Sequence, residues 1–161
     1  MKWYENLGVD KKRLRFKEHA EFELAHYAKR AFDIEYEFPW GFGECEGVHD
    51  RGDWDLSNHQ KYSGKDLNYF DEETKEKYVP NIIETSAGAD RSALVFLLEA
   101  YDEDKLGGDQ RVVLRLHKDL APVKTAVLPL VKNNEDIVRK AKKIYESVKN
   151  NFLVQYDETG S

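Results

Sequence analysis

A single cysteine, Cys45, stands in a chain of 161 residues. No internal disulfide can form, and no cysteine-built zinc site exists. Cys45 also has no partner nearby in sequence that would make it a nucleophile. Positive charge is in deficit: the net charge is −6. Long-range attraction to a nucleic-acid backbone is therefore not the organising feature, although local basic patches remain. Long apolar runs are missing too, and none approaches the roughly 20 residues needed to cross a bilayer. The start, Met1-Lys2-Trp3-Tyr4-Glu5, has neither an apolar signal core nor a cleavage pattern. On these grounds the chain reads as cytoplasmic, without a membrane partner. Four prolines and ten glycines are scattered, and no internal repeat or low-complexity tract is seen.

What is present suffices for a core. Apolar residues make up 40% and charged residues 35%, with a mean hydropathy of −0.75. This is a globular composition, of a length for one full domain or two small pieces. Ala20, Leu24, Tyr27, Ala28 and Ala31 recur at helical spacing and predict a helix over 20–31. The period then switches. Phe32, Ile34, Tyr36 and Phe38 alternate with Asp33, Glu35 and Glu37, which predicts a half-buried strand with a solvated acidic face. Pro39-Trp40-Gly41 breaks it, and a second strand over about 42–48 should pair with it antiparallel. Asp53 or Asp55 is placed to cap a short helix through Leu56 and His59, ended by Ser63-Gly64. Leu67, Tyr69 and Phe70 face Tyr78 and Val79 as a hairpin across Asp71-Glu72-Glu73-Thr74. A strand over 81–85 and a buried helix over 89–101 follow. The polar stretch 102–109, ending in Gly107-Gly108-Asp109, marks a domain boundary there or shortly after, near Pro122. Beyond it, 125–131 reads as a strand covered on both faces. Asn133 or Asn134 caps a helix whose inner face is Ile137, Val138, Ala141, Ile144, Tyr145 and Val148, and 152–156 is a further strand. This is a βαβ unit with a parallel sheet, stopping at Gly160-Ser161 and too small to be a finished domain.

The segment Glu84-Thr85-Ser86-Ala87-Gly88-Ala89-Asp90-Arg91 carries the most chemistry. It puts a carboxylate and a hydroxyl at a strand end, a glycine at the turn, and an arginine in the first turn of a helix. Free N–H groups and a partial positive charge at a helix N-terminus suit an anion. Arginine there opposes the macrodipole but adds a fixed cationic fork. A bare strand-to-helix turn, with Ser or Asp as a cap, fits the pattern equally well. The functional reading is ATP-dependent carboxylate activation. Arg91 holds polyphosphate, Glu84 faces the ammonium of an amino acid, and Ser86 adds a neutral hydrogen bond. In Gly43-Glu44-Cys45-Glu46-Gly47, alternation puts Glu44 and Glu46 on one strand face, a pair suited to Mg²⁺ with substrate phosphates. Glu44 and Glu84 as a glycoside-hydrolase pair would leave the Gly-x-Asp-Arg segment unexplained. The five histidines, His19, His26, His49, His59 and His117, read as surface or satisfied residues. Arg139, Lys140, Lys142, Lys143 and Lys149 give the last helix a basic face, ordinarily just solvated but also able to position RNA phosphates.

Nearly the whole chain resembles the homodimeric glycyl-tRNA synthetases of class II. The 84–91 segment resembles motif 3. Leu14–His19 followed by Glu23–Tyr27 resembles the helix before the middle of the catalytic sheet. Asp33-Ile34-Glu35-Tyr36-Glu37-Phe38-Pro39 with Gly41-Phe42-Gly43-Glu44 is similar to the following hairpin, and Gly47–Leu56 continues the match. Leu116-His117 and the stretch 120–130 resemble the entry to the anticodon-binding domain. The resemblance implies an α+β fold. Residues 1–108 would be part of the antiparallel class II catalytic sheet, and 109–161 an incomplete α/β anticodon-binding domain. It implies glycine–tRNA ligation through glycyl-adenylate, with ATP, Mg²⁺, glycine and tRNA(Gly) as cofactors and partners and a homodimer as the full assembly. Glu44, Cys45, Gly88, Ala89, Asp90 and Arg91 would meet ATP. Glu84, Thr85, Ser86, Ala87 and Gly88 would form the glycine loop. Glu44 and Arg91 would be catalytic, Glu44 also through Mg²⁺. Nothing in the sequence resembles motifs 1 and 2, so the chain is expected to be a central-to-C-terminal fragment. The alternative is a non-catalytic truncated paralogue serving as a tRNA- or protein-binding module.

Overall fold

The computed structural model of the chain describes residues 1–159. It separates into two compact units, Met1–Arg115 and Leu116–Ser161. No helix among the described residues is long and apolar enough to cross a membrane.

The first unit is α+β and is built on a four-stranded antiparallel sheet in the order β1-β2-β3-β6. Its strands are β1 (Leu14–Glu18), β2 (Arg30–Phe38), β3 (Gly41–Gly52) and β6 (Ile82–Ala87). The alternation at 32–38 does produce β2, and Pro39-Trp40 turns it into β3 as its antiparallel neighbour. Because side chains alternate across a strand, Ile34, Tyr36 and Phe38 point to one face. There they form the core with Tyr4, Val9, Leu14, Cys45 and Val95. Helices α1 (Lys2–Asn6) and α3 (Ala89–Ala100) supply Tyr4 and Val95. Tyr36 donates a hydrogen bond to Glu99 of α3 at 2.6 Å, and Arg13 pairs with the same carboxylate at 2.9 Å. Burial, with the Glu99 carboxylate adding to it, holds the Tyr36 hydroxyl well above the usual phenol range. Helix α2 (Trp54–Ser63) follows β3 and ends at Gly64, whose φ of 67° is the left-handed conformation that glycine adopts freely. The expected hairpin is present but minimal: β4 (Tyr69–Phe70) pairs with β5 (Lys77–Tyr78).

Three expectations fail here, each for a physical reason. Residues 20–31 do not form a helix, and Leu14–Glu18, expected to lead into it, is a strand. Only a 3₁₀ turn forms, at Glu21–Glu23, closed by the Glu23 carboxylate accepting from the Ala20 N–H at 2.9 Å. The apolar spacing there reflects separate partners. Tyr27 packs under Arg51 and beside His49 and Trp54, Ala31 is buried in β2, and Phe22 is 89% exposed. Second, Asp33 and Glu35 are not solvated: they are 7% and 6% exposed. Strand β1 and the residue that follows it lie beside them and cover them with polar side chains. Arg15 and Lys17 pair with Glu35, and His19 Nε2 lies 2.8 Å from Asp33. A carboxylate is buried only when paired in this way. Third, α3 buries Val95 and Ala100 but leaves Leu94 and Leu97 exposed, since only one of its faces meets the sheet. Gly107 and Gly108 are the positive-φ turn of a hairpin, β7 (Tyr101–Leu106) with β8 (Asp109–Leu114). The separation of the units falls after it, at Arg115/Leu116.

In the second unit, β9 (Thr125–Val127) and β10 (Val154–Tyr156) pair in parallel around α4 (Glu135–Val148). Asn134 caps α4, its side chain accepting from the Asp136 and Ile137 N–H groups. Strand β9 is shorter than the apolar run 125–131. With one neighbouring strand and one helix, Leu128 and Leu130 find no cover and stay exposed. On α4, Arg139 pairs with Asp136, Lys142 with Glu158 at 2.9 Å and Lys149 with Glu146 at 2.6 Å. Lys140 and Lys143 form no ion pair among the described residues.

Candidate active site

The face of the sheet opposite the core is polar, and β3 determines its layout. Two register shifts interrupt β3, one between the pairs Ile34↔Glu46 and Glu35↔Glu44, the other between Asp50↔Ile83 and Gly52↔Ile82. The first leaves Cys45 as an extra residue. Ile34 and Glu35 point to opposite faces, so their partners Glu46 and Glu44 do too. The expected pairing of Glu44 with Glu46 on one face is therefore wrong. Glu46 lies on the core side, near the Tyr4 hydroxyl, which burial pushes up to about 12 with Glu46 adding to the effect. Glu44 lies on the polar side, its Oε1 3.7 Å from where a Cβ on Gly47 would stand. Cys45 turns inward and is 3% exposed. Burial pushes its thiol up to about 11.

Strand β6 adds the next row. Glu84 sits opposite His49 and Ser86 opposite Gly47. Cross-strand partners share a face, so Glu84, Ser86, Gly47 and His49 form one polar floor with Glu44 at its edge. Arg51, the extra residue of the second shift, reaches Glu84 Oε2 through Nη1. Its other nitrogens grip Asp55 of α2 at 2.6 and 2.8 Å, and its guanidinium lies 4.0 Å over the Tyr27 ring. This fork holds the Asp55 carboxyl below its usual range and raises the guanidinium in turn. Glu84 is thus held by one oxygen. Its Oε1 makes no hydrogen bond among the described residues.

At the far end, Gly88 precedes α3 and accepts the Ser92 N–H through its carbonyl, with no side chain capping the helix. The first-turn N–H groups lack intrahelical partners. Arg91, exposed in that turn, donates to the Glu44 carbonyl at 2.7 Å. The two predicted regions, 44–45 and 84–91, are therefore brought together. The side chain of Cys45 is separated from them by the sheet. No group of three or more His, Cys, Asp and Glu that could hold a metal exists among the described residues.

Sequence reasoning missed Arg51, Asp55, Tyr27 and His49. The first two had a visible signal, since an arginine and an aspartate four apart at a strand–helix junction can meet on one face. His49 had none. Expected at the surface or satisfied, it is half-buried, with Nδ1 shut off from solvent and without a partner among the described residues.

Relatives of the chain have names that point to one family. It is 53% identical to the glycine–tRNA ligase of Clostridium acetobutylicum over 157 residues, 97% of this chain and 33% of the relative. It is 54% identical to that of Clostridium tetani over the same shares. It is 53% identical to that of Borreliella burgdorferi over 98% of this chain and 36% of the relative. No protein-family model matches the chain. The three names denote enzymes of one class, ligases acting on tRNA. The chain belongs to the glycine–tRNA ligase family and spans about a third of the length of the curated relatives it matches.

Proposed function

We propose that the first unit is the motif 3 part of a class II catalytic domain and that its polar floor binds glycine and ATP for adenylate formation. The observation that carries this is the pairing of β3 with β6. It sets Glu84 and Ser86 beside Gly47 and joins the Arg91 end of α3 to Glu44. Glycine would place its ammonium against the open oxygen of Glu84 and the Ser86 hydroxyl, with Thr85, Ala87 and Gly88 as the loop backbone. Arg51 holds Glu84 in position, so little reorganisation is needed on binding. ATP would lie along Gly88, Ala89, Asp90 and Arg91. Its terminal phosphate would meet the Arg91 fork and the free N–H groups of α3. Cys45 would contribute backbone only. Mg²⁺ fits as an ion held mainly by the nucleotide phosphates with Glu44 as the protein carboxylate, since Mg²⁺ commonly takes one or two carboxylates plus phosphate. Its chemistry would be charge neutralisation at the phosphates.

In this reading the glycine carboxylate attacks the α-phosphate and pyrophosphate leaves; the tRNA(Gly) terminal ribose hydroxyl then attacks the glycyl carbonyl, and AMP leaves as the acyl–phosphate bond breaks. The residues position and neutralise, and none acts as a nucleophile. The second unit would be the start of an anticodon-binding domain, the full enzyme a homodimer, and its compartment the cytoplasm. Glycine-dependent ATP–pyrophosphate exchange on this chain and on Glu84→Ala tests the reading. Exchange that disappears in the variant supports it. No exchange, with glycine and ATP still bound, favours the non-catalytic binding module. Exchange that persists in Glu84→Ala removes Glu84 from the site.

A further inference from the structure

We propose that His49 sets the size limit of the pocket. Its imidazole is the wall that leaves room beside Glu84 for an amino acid without a side chain. The inference rests on the glycine reading and names the group that enforces it.

Four observations carry it. His49 is the direct cross-strand partner of Glu84, and Gly47 that of Ser86, so the ring adjoins both groups offered to the ammonium. The ring is folded back over Gly47: a Cβ there would stand 3.3 Å from His49 Cε1 and 3.4 Å from Nε2. The ring therefore occupies the space above the one position of this floor that has no side chain. The Tyr27 ring, with its centroid 6.5 Å from that of His49, lies on the same side. Finally, His49 Nδ1 is sealed from solvent without a partner among the described residues. Packing alone would favour an aliphatic residue, which fills the same volume without an orphaned polar atom. A ring held there despite that cost fits a site whose shape is under constraint. A substrate bound through Glu84 and Ser86 has no contact that could read the absence of a side chain, so overlap with a wall is the available means of selection.

The test is titration of the full chain with glycine and with L-alanine, for the wild type, His49→Ala, His49→Leu and Glu84→Ala. Circular dichroism checks that each variant is folded. The wild type should bind glycine at least ~10-fold tighter than L-alanine, the lower end of discrimination by one methyl group. His49→Ala should bring the two affinities to within about twofold by raising that for L-alanine, and His49→Leu should keep most of the preference. Glycine binding that Glu84→Ala abolishes, with a preference unchanged in His49→Ala, overturns the role of His49 and leaves the pocket standing. Equal weakening of both amino acids in His49→Ala also overturns it, because a merely structural residue would act that way. No glycine binding by the wild type, or binding indifferent to Glu84→Ala, overturns the pocket and the inference together.

Discussion

Cys45 of β3 and Arg91 of α3, both near the site, have opposite fates that single-residue experiments can separate. The Cys45 thiol is in the core, and burial raises it from its ordinary value of 9.0 to about 11. That shift alone lowers its thiolate fraction at pH 8 about 100-fold, and burial slows reagent access further. A disulfide reagent should therefore leave native Cys45 unmodified over hours at pH 8 and modify it at once in urea. Rapid labelling of the native chain would show the thiol to be open. The sign for stability follows. A raised thiol contributes stability that is full below the unfolded value and is lost as pH rises from about 9 to 11. Arg91, by contrast, is exposed, and its carbonyl contact to Glu44 orients the guanidinium without using its charge. Arg91→Ala should weaken ATP binding by about 1.5–3 kcal/mol, the scale of a charged hydrogen bond. Unchanged ATP affinity would take Arg91 out of the site.

Elements reveal what propensity cannot. Strand β2 is legible because its alternation follows from burying one face. Its length and antiparallel partner follow from the Pro39-Trp40 break. The two bulges of β3 left no mark in the pattern, yet they decide which of Glu44, Cys45 and Glu46 face the site. The helix expected at 20–31 failed because helical spacing describes one common surface, whereas Tyr27 and Ala31 are claimed by different neighbours. The core itself should behave ordinarily. Ile34 is 4% exposed in the middle of β2, where it joins Tyr36 and Val95. Ile34→Ala should cost about 2–5 kcal/mol in urea unfolding through lost transfer energy and the cavity left behind. A cost below 1 kcal/mol would mean that the sheet is not the packed centre of this unit.

At the scale of the whole molecule, the two units differ in how much they bury. Among the described residues, Pro129, Ala141 and Val154 are the buried apolar residues of the second unit, against ten hydrophobic side chains, from Tyr4 to Ala100, in the first. Stability follows buried apolar area, so the second unit should melt first. All three tryptophans, Trp3, Trp40 and Trp54, lie in the first unit. On heating, helix circular dichroism from α4 should therefore begin to fall before tryptophan fluorescence changes. Coincident transitions by both probes would show the units to unfold as one.

By itself the sequence determined which segments could be strands, where the strand-to-helix turn lies, and that Glu84, Ser86 and Arg91 sit around it. These are local properties, set by periodicity, turn residues and spacing. Only the tertiary structure decided that Glu84 is held by Arg51, that Glu35 is buried under cations from β1 and Asp33 against His19, and that His49 lies over Gly47. Each of these depends on strand order and register. A shift of one residue in pairing reverses every side chain's face, and the sequence of β3 does not announce where its two shifts occur.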